Sequence, residues 1–426
     1  MQSEHFAAGQ PQPGLPPVAP PSGKFIVQLF LVPGLIVGLI VCVLLLFNWL
    51  FGGPRSREAF LSNLDNTNFE VRQRAAAELA QVLKRDDQLA GDAGFALELA
   101  DRADRAREES ASVERSLAER WSTLKPEEAA AESRRRQDER FYLRYLCACL
   151  GNFRVPAGVP VLRKIAEQEG GMEPTALASL RRQAVWALAD LGQNLQRFDE
   201  AKPPDQDVIL AGLDRLAATP GHGADAHKIL DQLNDRRAGH PGALGVDVTL
   251  SKCGRSDDPF LRELSAMALT FWQGSDAENK LIDETLLKLA RDDGRGNLLF
   301  EANPDQPDEK PGSVEKSPGL HVRHNAVAAL ANRGSAKTPL DQLEEMLDGD
   351  QLRQLCVVRE ADGSERPDDA FIAQTQLAAL QALMSLHKKQ PALDLAGPRA
   401  IVSKLAEDPN FDIRTRARMA LKDLSQ

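Results

Sequence analysis

The chain is poor in aromatic residues and cysteine and has no surplus of positive charge, and each shortage excludes a class of protein. Phe, Trp and Tyr make up 5% of its 426 residues while Ala and Leu dominate, a balance that favours helix over sheet. The five cysteines are scattered and show no CxxC pair, so there is no disulfide framework. With 52 Lys and Arg against 62 Asp and Glu the formal net charge is -10, whereas phosphate backbones call for a basic surface; no nucleic-acid partner is expected. HExxH, GxSxG and GxGxxG are missing. Ser22, Gly23 and Lys24 resemble the end of a phosphate loop, but Val18 stands where that loop needs Gly and Phe25 where it needs Ser or Thr. The acidic stretches at Asp292 and Asp362 lack EF-hand spacing. No catalytic, cofactor-binding or metal-binding residue is therefore assigned, no cofactor or small-molecule ligand is expected, and the chain reads as a non-enzyme.

One apolar run stands out against this background. Residues 1–24 are rich in Pro and Gly without apolar periodicity and read as a disordered tail. From Phe25 to Pro54 there is no charged residue, and Leu29 to Phe51 as a helix spans roughly 35 Å, enough to cross the hydrocarbon of a bilayer. A single transmembrane helix is expected over 25–53. A cleaved signal peptide fits less well, because the apolar stretch is too long and no A-x-A site follows it. Arg55, Arg57, Arg72 and Arg74 after the span outweigh Lys24 before it, which puts the C-terminal part on the cytoplasmic side.

Beyond the span a helical phrase recurs. Ile413–Leu424 reads IRTRARMALKDL, and varied copies lie at Val71–Val82, Leu180–Leu191, Leu261–Trp272 and Val322–Arg333. Each has an aliphatic residue, then Arg, then Ala three or four residues on, then Leu near the eighth or ninth position, which is one apolar stripe at helical period. In Phe141–Phe153, Cys147 takes the small position that Ala holds elsewhere. The division expected is a first helix hairpin over 54–87, a charged helical insertion over 88–140 turning near Lys125 and Pro126, and a repeat array over 141–426. Polar loop insertions interrupt that array near 292–319 and 359–369, the first expected to be mobile. Val208–Leu216 and Ala226–Leu233 read as one more pair of the array, without the Arg.

The phrase resembles the second helix of HEAT repeats, an armadillo-type helical repeat. Asn68, Val71, Arg72, Ala76 and Leu79 fit that pattern, as do Asp258, Leu261, Arg262, Ala266 and Leu269, and Asp408, Ile413, Arg414, Ala417 and Leu421. Units of about 40 residues with two helices agree. The resemblance implies an all-α solenoid of HEAT-like helix pairs that binds protein partners on the surface of its second helices. Together with the span, this makes the expected protein a single-pass, membrane-anchored scaffold for protein–protein interaction. Two alternatives are a HEAT-like lyase or ligand-attaching factor, whose chemistry could only come from Cys147, Cys149 and the histidines, and a structural spacer of a membrane-bound assembly. The repeated Arg72, Arg181, Arg262, Arg323 and Arg414 are expected to join an acidic ladder between repeats. His321 and His324 are too few for a zinc site, and His222 and His227 have no ligand spacing. Trp186 and Trp272 are core if buried; an exposed one marks a binding hot spot.

Overall fold

The computed structural model describes Leu31 and residues 34–43, 56–169, 174–219, 221, 223–295, 313–359 and 364–425. The chain divides into Met1–Ala59 and Phe60–Gln426, each described here by itself. In the first, residues 34–43 form a helix, α1, whose apolar side chains are exposed. A helix of that length extends about 15 Å, half of a hydrocarbon core of about 30 Å. Among the described residues no helix is long and apolar enough to cross a membrane. The transmembrane helix expected over 25–53 is thus not shown. The rest of that stretch, and the tail 1–24, lie outside the described residues.

The second unit is a helical-repeat solenoid. Helix α2 (Arg57–Leu64) spans the division, and α3 (Phe69–Leu83) follows with Asn68 as its N-cap, the side chain accepting from the Glu70 amide. A short α4 (Asp87–Ala90) leads to the long α5 (Ala93–Arg120) and α6 (Pro126–Gly151), then to α7 (Val159–Ala166) and α8 (Pro174–Glu200). After α9 (Pro203–Ala217) and α10 (Gly223–Arg237), the pairs resume as α11 (Val246–Cys253) with α12 (Pro259–Leu269) and α13 (Asp276–Leu289) with α14 (Leu320–Arg333). Next come α15 (Leu340–Leu347), α16 (Gly349–Leu355) and α17 (Asp369–Lys389), then α18 (Ala396–Leu405) and α19 (Phe411–Asp423). Helices α3, α6, α8, α12, α14, α17 and α19 pack each on the next in one continuous row; α7, α11, α13, α15 and α18 back it.

The recurring phrase builds that row's seam. Ala76, Cys147, Ala184, Ala266 and Ala417 are all fully buried, so neighbouring backbones approach closely. A Cβ added at Gly151 would stand 2.8 Å from the Ala187 carbonyl oxygen, which shows how tightly α6 meets α8. Asp258 caps α12, accepting from the Phe260 amide at 3.1 Å, with Pro259 in the first turn where its missing N–H costs nothing. At α19 the cap is Asn410; Asp408 instead accepts from the Asn410 amide at 2.8 Å, one turn earlier.

Three arrangements differ from the sequence reading. Residues 88–140 do not stand between repeats: α5 and α6 are the overlong helices of one pair, and α6 continues without a break from Pro126 into the seam at Cys147. The hairpin beyond the array is closed by Leu117, fully buried, and by the Arg136 guanidinium 5.1 Å above the Trp121 ring. Helices α9 and α10 are not a unit of the row. Helix α8 packs directly on α12, and the α9–α10 hairpin lies against α5, where its apolar stripe of Leu210, Leu213, Ile229 and Leu233 finds cover. Both polar insertions carry strands. Strands β1 (Ser313–Glu315), β2 (Cys356–Arg359) and β3 (Glu365–Pro367) form an antiparallel sheet in that order, with Val314 opposite Val357 and Val358 opposite Arg366. A separate small core of Leu320, Leu352, Cys356 and Ile372 lies beside it. Neither insertion repeats the helical stripe, so sequence periodicity could not reveal pairing between segments some 45 residues apart.

Candidate functional site

Helix α8 is flanked by α6 and α12 and backed by α7, which leaves one side open. Its buried residues, Ala184, Val185, Ala187, Leu188, Ala189 and Leu191, take the three covered sides. The open side carries Trp186, Asp190, Gln193 and Arg197 at helical spacing. Trp186 is 46% exposed, whereas Trp272 on α12 is 1% exposed and donates from Nε1 to the Leu188 carbonyl at 3.0 Å. A Cβ at Gly192 would meet that indole nitrogen at 2.8 Å, so the seam fits Trp272 only because position 192 has no side chain. One tryptophan is therefore core and the other is surface.

Trp186 is tied to the open stripe through Asp190. Burial pushes the Asp190 carboxyl up from the ordinary aspartate value, opposed by the charge of Lys84 and a hydrogen bond from Trp186. Asp190 also lines a cleft of about 300 Å³ at the C-terminal ends of α3 and α6, with Lys84, Asp87, Arg154, Asn194 and Arg197 around it. Asn194 donates to the Gly151 carbonyl at 3.0 Å and accepts from Arg197, while Arg154 pairs with Asp87. The result is a polar cleft of mixed charge beside one exposed indole, an arrangement suited to holding a polypeptide surface through an aromatic anchor and hydrogen bonds.

The repeated arginines do not form an anion groove, and among the described residues only Arg262 of the five pairs with an acid. Arg262, fully buried, donates from Nε and Nη2 to Asp292 at 2.7 and 3.0 Å and also reaches the carbonyls of Ser256 and Arg295. Arg323 donates to the Pro318 carbonyl at 2.6 Å and to Ser317 Oγ at 2.7 Å, and Arg414 to the Pro409 carbonyl at 3.2 Å. Arg181 donates to the Ala166 carbonyl at 2.9 Å, and the Arg72 guanidinium lies 5.3 Å from the Tyr142 ring. This corrects the expected acidic ladder. The phrase places its Arg over the turn between the paired helices, where carbonyls left over by a helix end need donors. Besides Arg262, an ion pair across the seam uses Arg182, which grips Asp258 with two bonds at 2.8 Å, while Arg333 reaches Asp283 at 3.4 Å within the α13–α14 pair.

Cys147, Cys149, Cys253 and Cys356 are all buried. Desolvation pushes the Cys147 thiol up to about 12 and the Cys253 thiol up to about 11, and raises Cys149 as well, so none of these three is poised as a thiolate. His324 is 3% exposed and bonds through Nε2 to Glu345 Oε1 at 2.9 Å; the His321 ring instead lies 4.2 Å from that of Phe371. The two histidines share α14 but do not converge. His227 is exposed on α10, and His222 lies outside the described residues. Among the described residues no three His, Cys, Asp or Glu side chains could hold a metal ion.

No protein-family model matches the chain, and no curated protein matches it. Solved structures do. An engineered protein is 15% identical with a TM-score of 0.33, covering 87% of this chain and 97% of its own. A designed armadillo repeat protein is 14% identical with a TM-score of 0.33, covering 87% and 100%. A structure from a study of the interaction between cadherin and beta-catenin is 14% identical with a TM-score of 0.20, covering 87% and 94%. Superpositions this loose carry no weight, and the solenoid rests on the helix rows themselves.

Proposed function

We propose that this chain is a membrane-anchored scaffold that docks a protein partner on the open face of its helix row, around Trp186. The observation that carries the reading is the contrast of the two tryptophans: Trp186 is left 46% exposed, while Trp272 in another copy of the same phrase is 1% exposed. An exposed Trp beside a hydrogen-bonding cleft has the anatomy of an interaction hot spot. The charge-free run from Phe25 to Pro54 supplies the anchor, and the arginines that follow it put the repeat array in the cytoplasm. The buried thiols Cys147, Cys149 and Cys253, with their raised pKa values, count against the thiol chemistry that a lyase reading would need.

The test is cross-linking and capture of the full-length chain from native membranes, compared with Trp186→Ala. Loss of the specific partner, with unchanged melting of the variant, supports docking at this face; equal recovery by both chains overturns it. Protease added to spheroplasts should spare the array, and its digestion while cytoplasmic markers survive would overturn the assigned side of the membrane.

A further inference from the structure

Helix α19 carries an exposed stripe of its own, away from the tryptophan face. It buries Ile413, Ala417, Ala420 and Leu424 against α17 and α18. On the opposite side Phe411, Thr415, Met419 and Lys422, spaced by four, four and three residues, form one exposed line. Phe411 is 68% exposed and Met419 52% exposed. The Arg414 guanidinium lies 5.7 Å from the Phe411 ring and donates to the Pro409 carbonyl at 3.2 Å, which steadies the ring in its exposed position.

This stripe is not built as a seam of the row. Five residues after the first aliphatic of the phrase, α8, α12 and α14 carry Val185, Ala266 and Val327, all fully buried. Helix α19 carries Arg418 there. It turns back to its own pair, donating from Nε to the Ala406 carbonyl at 3.0 Å and meeting Glu407 at 3.3 Å. Two residues after that aliphatic, Arg182 and Glu263 reach the following pair, at Asp258 and Asn325, whereas α19 has the short, exposed Thr415.

The stripe does fit a copy of itself. When two such helices run antiparallel with Thr415 at the centre, residues equally far from it fall at one level. Phe411 and Met419 are each four positions away, and Asp408 and Lys422 each seven. Apolar therefore meets apolar, and acid meets ammonium. Lys422 is exposed without an ion-pair partner among the described residues, and Asp408 takes one amide, from Asn410 at 2.8 Å, with acceptor capacity to spare. A parallel pairing would set Lys422 beside Lys422 and Asp408 beside Asp408, like against like. The small Thr415 at the centre lets the two backbones approach.

We propose that the α19 stripe is a homodimer interface: two copies of this chain pair antiparallel, Phe411 of each against Met419 of the other and Asp408 of each against Lys422 of the other. The pairing is isologous, so one stripe supplies both sides of it. One helix from each copy makes a small interface, so the dimer is reversible and depends on concentration.

The test is sedimentation of the full-length chain in detergent over a range of concentrations. A reversible dimer, weakened at least about tenfold in Phe411→Ser/Met419→Ser, supports the proposal. Lys422→Asp should weaken it too, and Lys422→Asp/Asp408→Lys should restore it. Positions 408 and 422 lie about 20 Å apart along one chain, so that rescue requires two copies. Thr415→Cys leaves both charges in place and should cross-link to its own copy under copper-phenanthroline oxidation, beyond any product the parent chain forms through exposed Cys42. A monomer at every concentration, a dimer indifferent to Phe411→Ser/Met419→Ser, a charge swap that folds with unchanged melting but restores nothing, or no added cross-link from Thr415→Cys each overturns it. Partner capture by Trp186→Ala is a separate readout, so either surface can fail alone.

Discussion

Two insertions interrupt the same helix row, and they are attached by opposite chemistry. The α9–α10 hairpin follows α8 and docks through an apolar stripe, Leu210, Leu213, Ile229 and Leu233, with Arg236 pinned by two bonds to Asp199 at 3.0 and 2.7 Å. The strand-bearing insertion after α13 is rooted in a charged node. Arg262 and Arg323 both converge on residue 292, the first on its carboxylate and the second on its carbonyl, and Gly319 approaches so closely that a Cβ would meet Asp292 Oδ1 at 2.6 Å. An apolar dock tolerates small shifts because dispersion and burial are non-directional, whereas a buried charge node demands every one of its bonds. The row keeps its seam past both, since α8 meets α12 and α12 meets α14 directly.

The largest expected effect comes from breaking the node. Arg262→Ala leaves Asp292 buried without its partner and should cost about 3–5 kcal/mol in chemical unfolding, whereas Arg262→Met/Asp292→Leu, which removes both charges, should lose far less. Equal losses in the two variants would show that packing at this place, not the orphaned charge, sets the stability. The apolar dock should respond less. Leu213→Ala, at a fully buried position of α9, is expected to cost about 3 kcal/mol and to raise amide exchange in α9 and α10 more than in α12 and α14. Uniform exchange throughout the array would mean that the hairpin and the row unfold as one.

A smaller effect is expected on acidification near the sheet. Burial holds His324 below the ordinary histidine value of 6.5, opposed by its bond to Glu345 and helped by the charges of His321 and Arg323. The unfolded chain therefore binds a proton before the folded one does, so this stabilisation is whole above about 6.5 and falls as the pH drops below it. Glu345 is itself held below its ordinary 4.5 by the His324 bond, and its contribution is also lost on the acid side, as the pH falls through its folded value. Unfolding free energies measured between neutral and mildly acid pH should show this slope, and His324→Gln should flatten its upper part; an unchanged slope would acquit His324. The smallest effect belongs to the sheet's surface: Lys316 meets Glu365 at 2.7 Å while about half exposed, and Lys316→Ala should cost less than about 1 kcal/mol, and less again in high salt.

Much of the row was legible from the chain because its periodicity is local. The phrase from Leu261 to Trp272 states its own buried stripe, and Ala266, Leu261 and Leu269 are all fully buried as that stripe requires. The caps at Asn68 and Asp258 were equally legible, since a cap acts over three residues. The candidate sites were not. Trp186 and Trp272 occur in copies of the same phrase, and nothing in either copy says that Gly192 would accommodate one indole while the other is left in the open. Leu97 and Ile229 are 132 residues apart by number and line one cavity only because the α9–α10 hairpin leaves the row and lies on α5.

By itself, then, the order of residues determined the helices, their caps, their buried stripes and the apolar run before residue 54, because all of these follow from interactions within a few turns of one segment. Only the tertiary structure decided which helices belong to the row, which arginine meets an acid and which meets a carbonyl, where two polar insertions pair as strands, and which tryptophan faces outward. Those outcomes depend on distances between segments that the chain sets only once the whole row has packed.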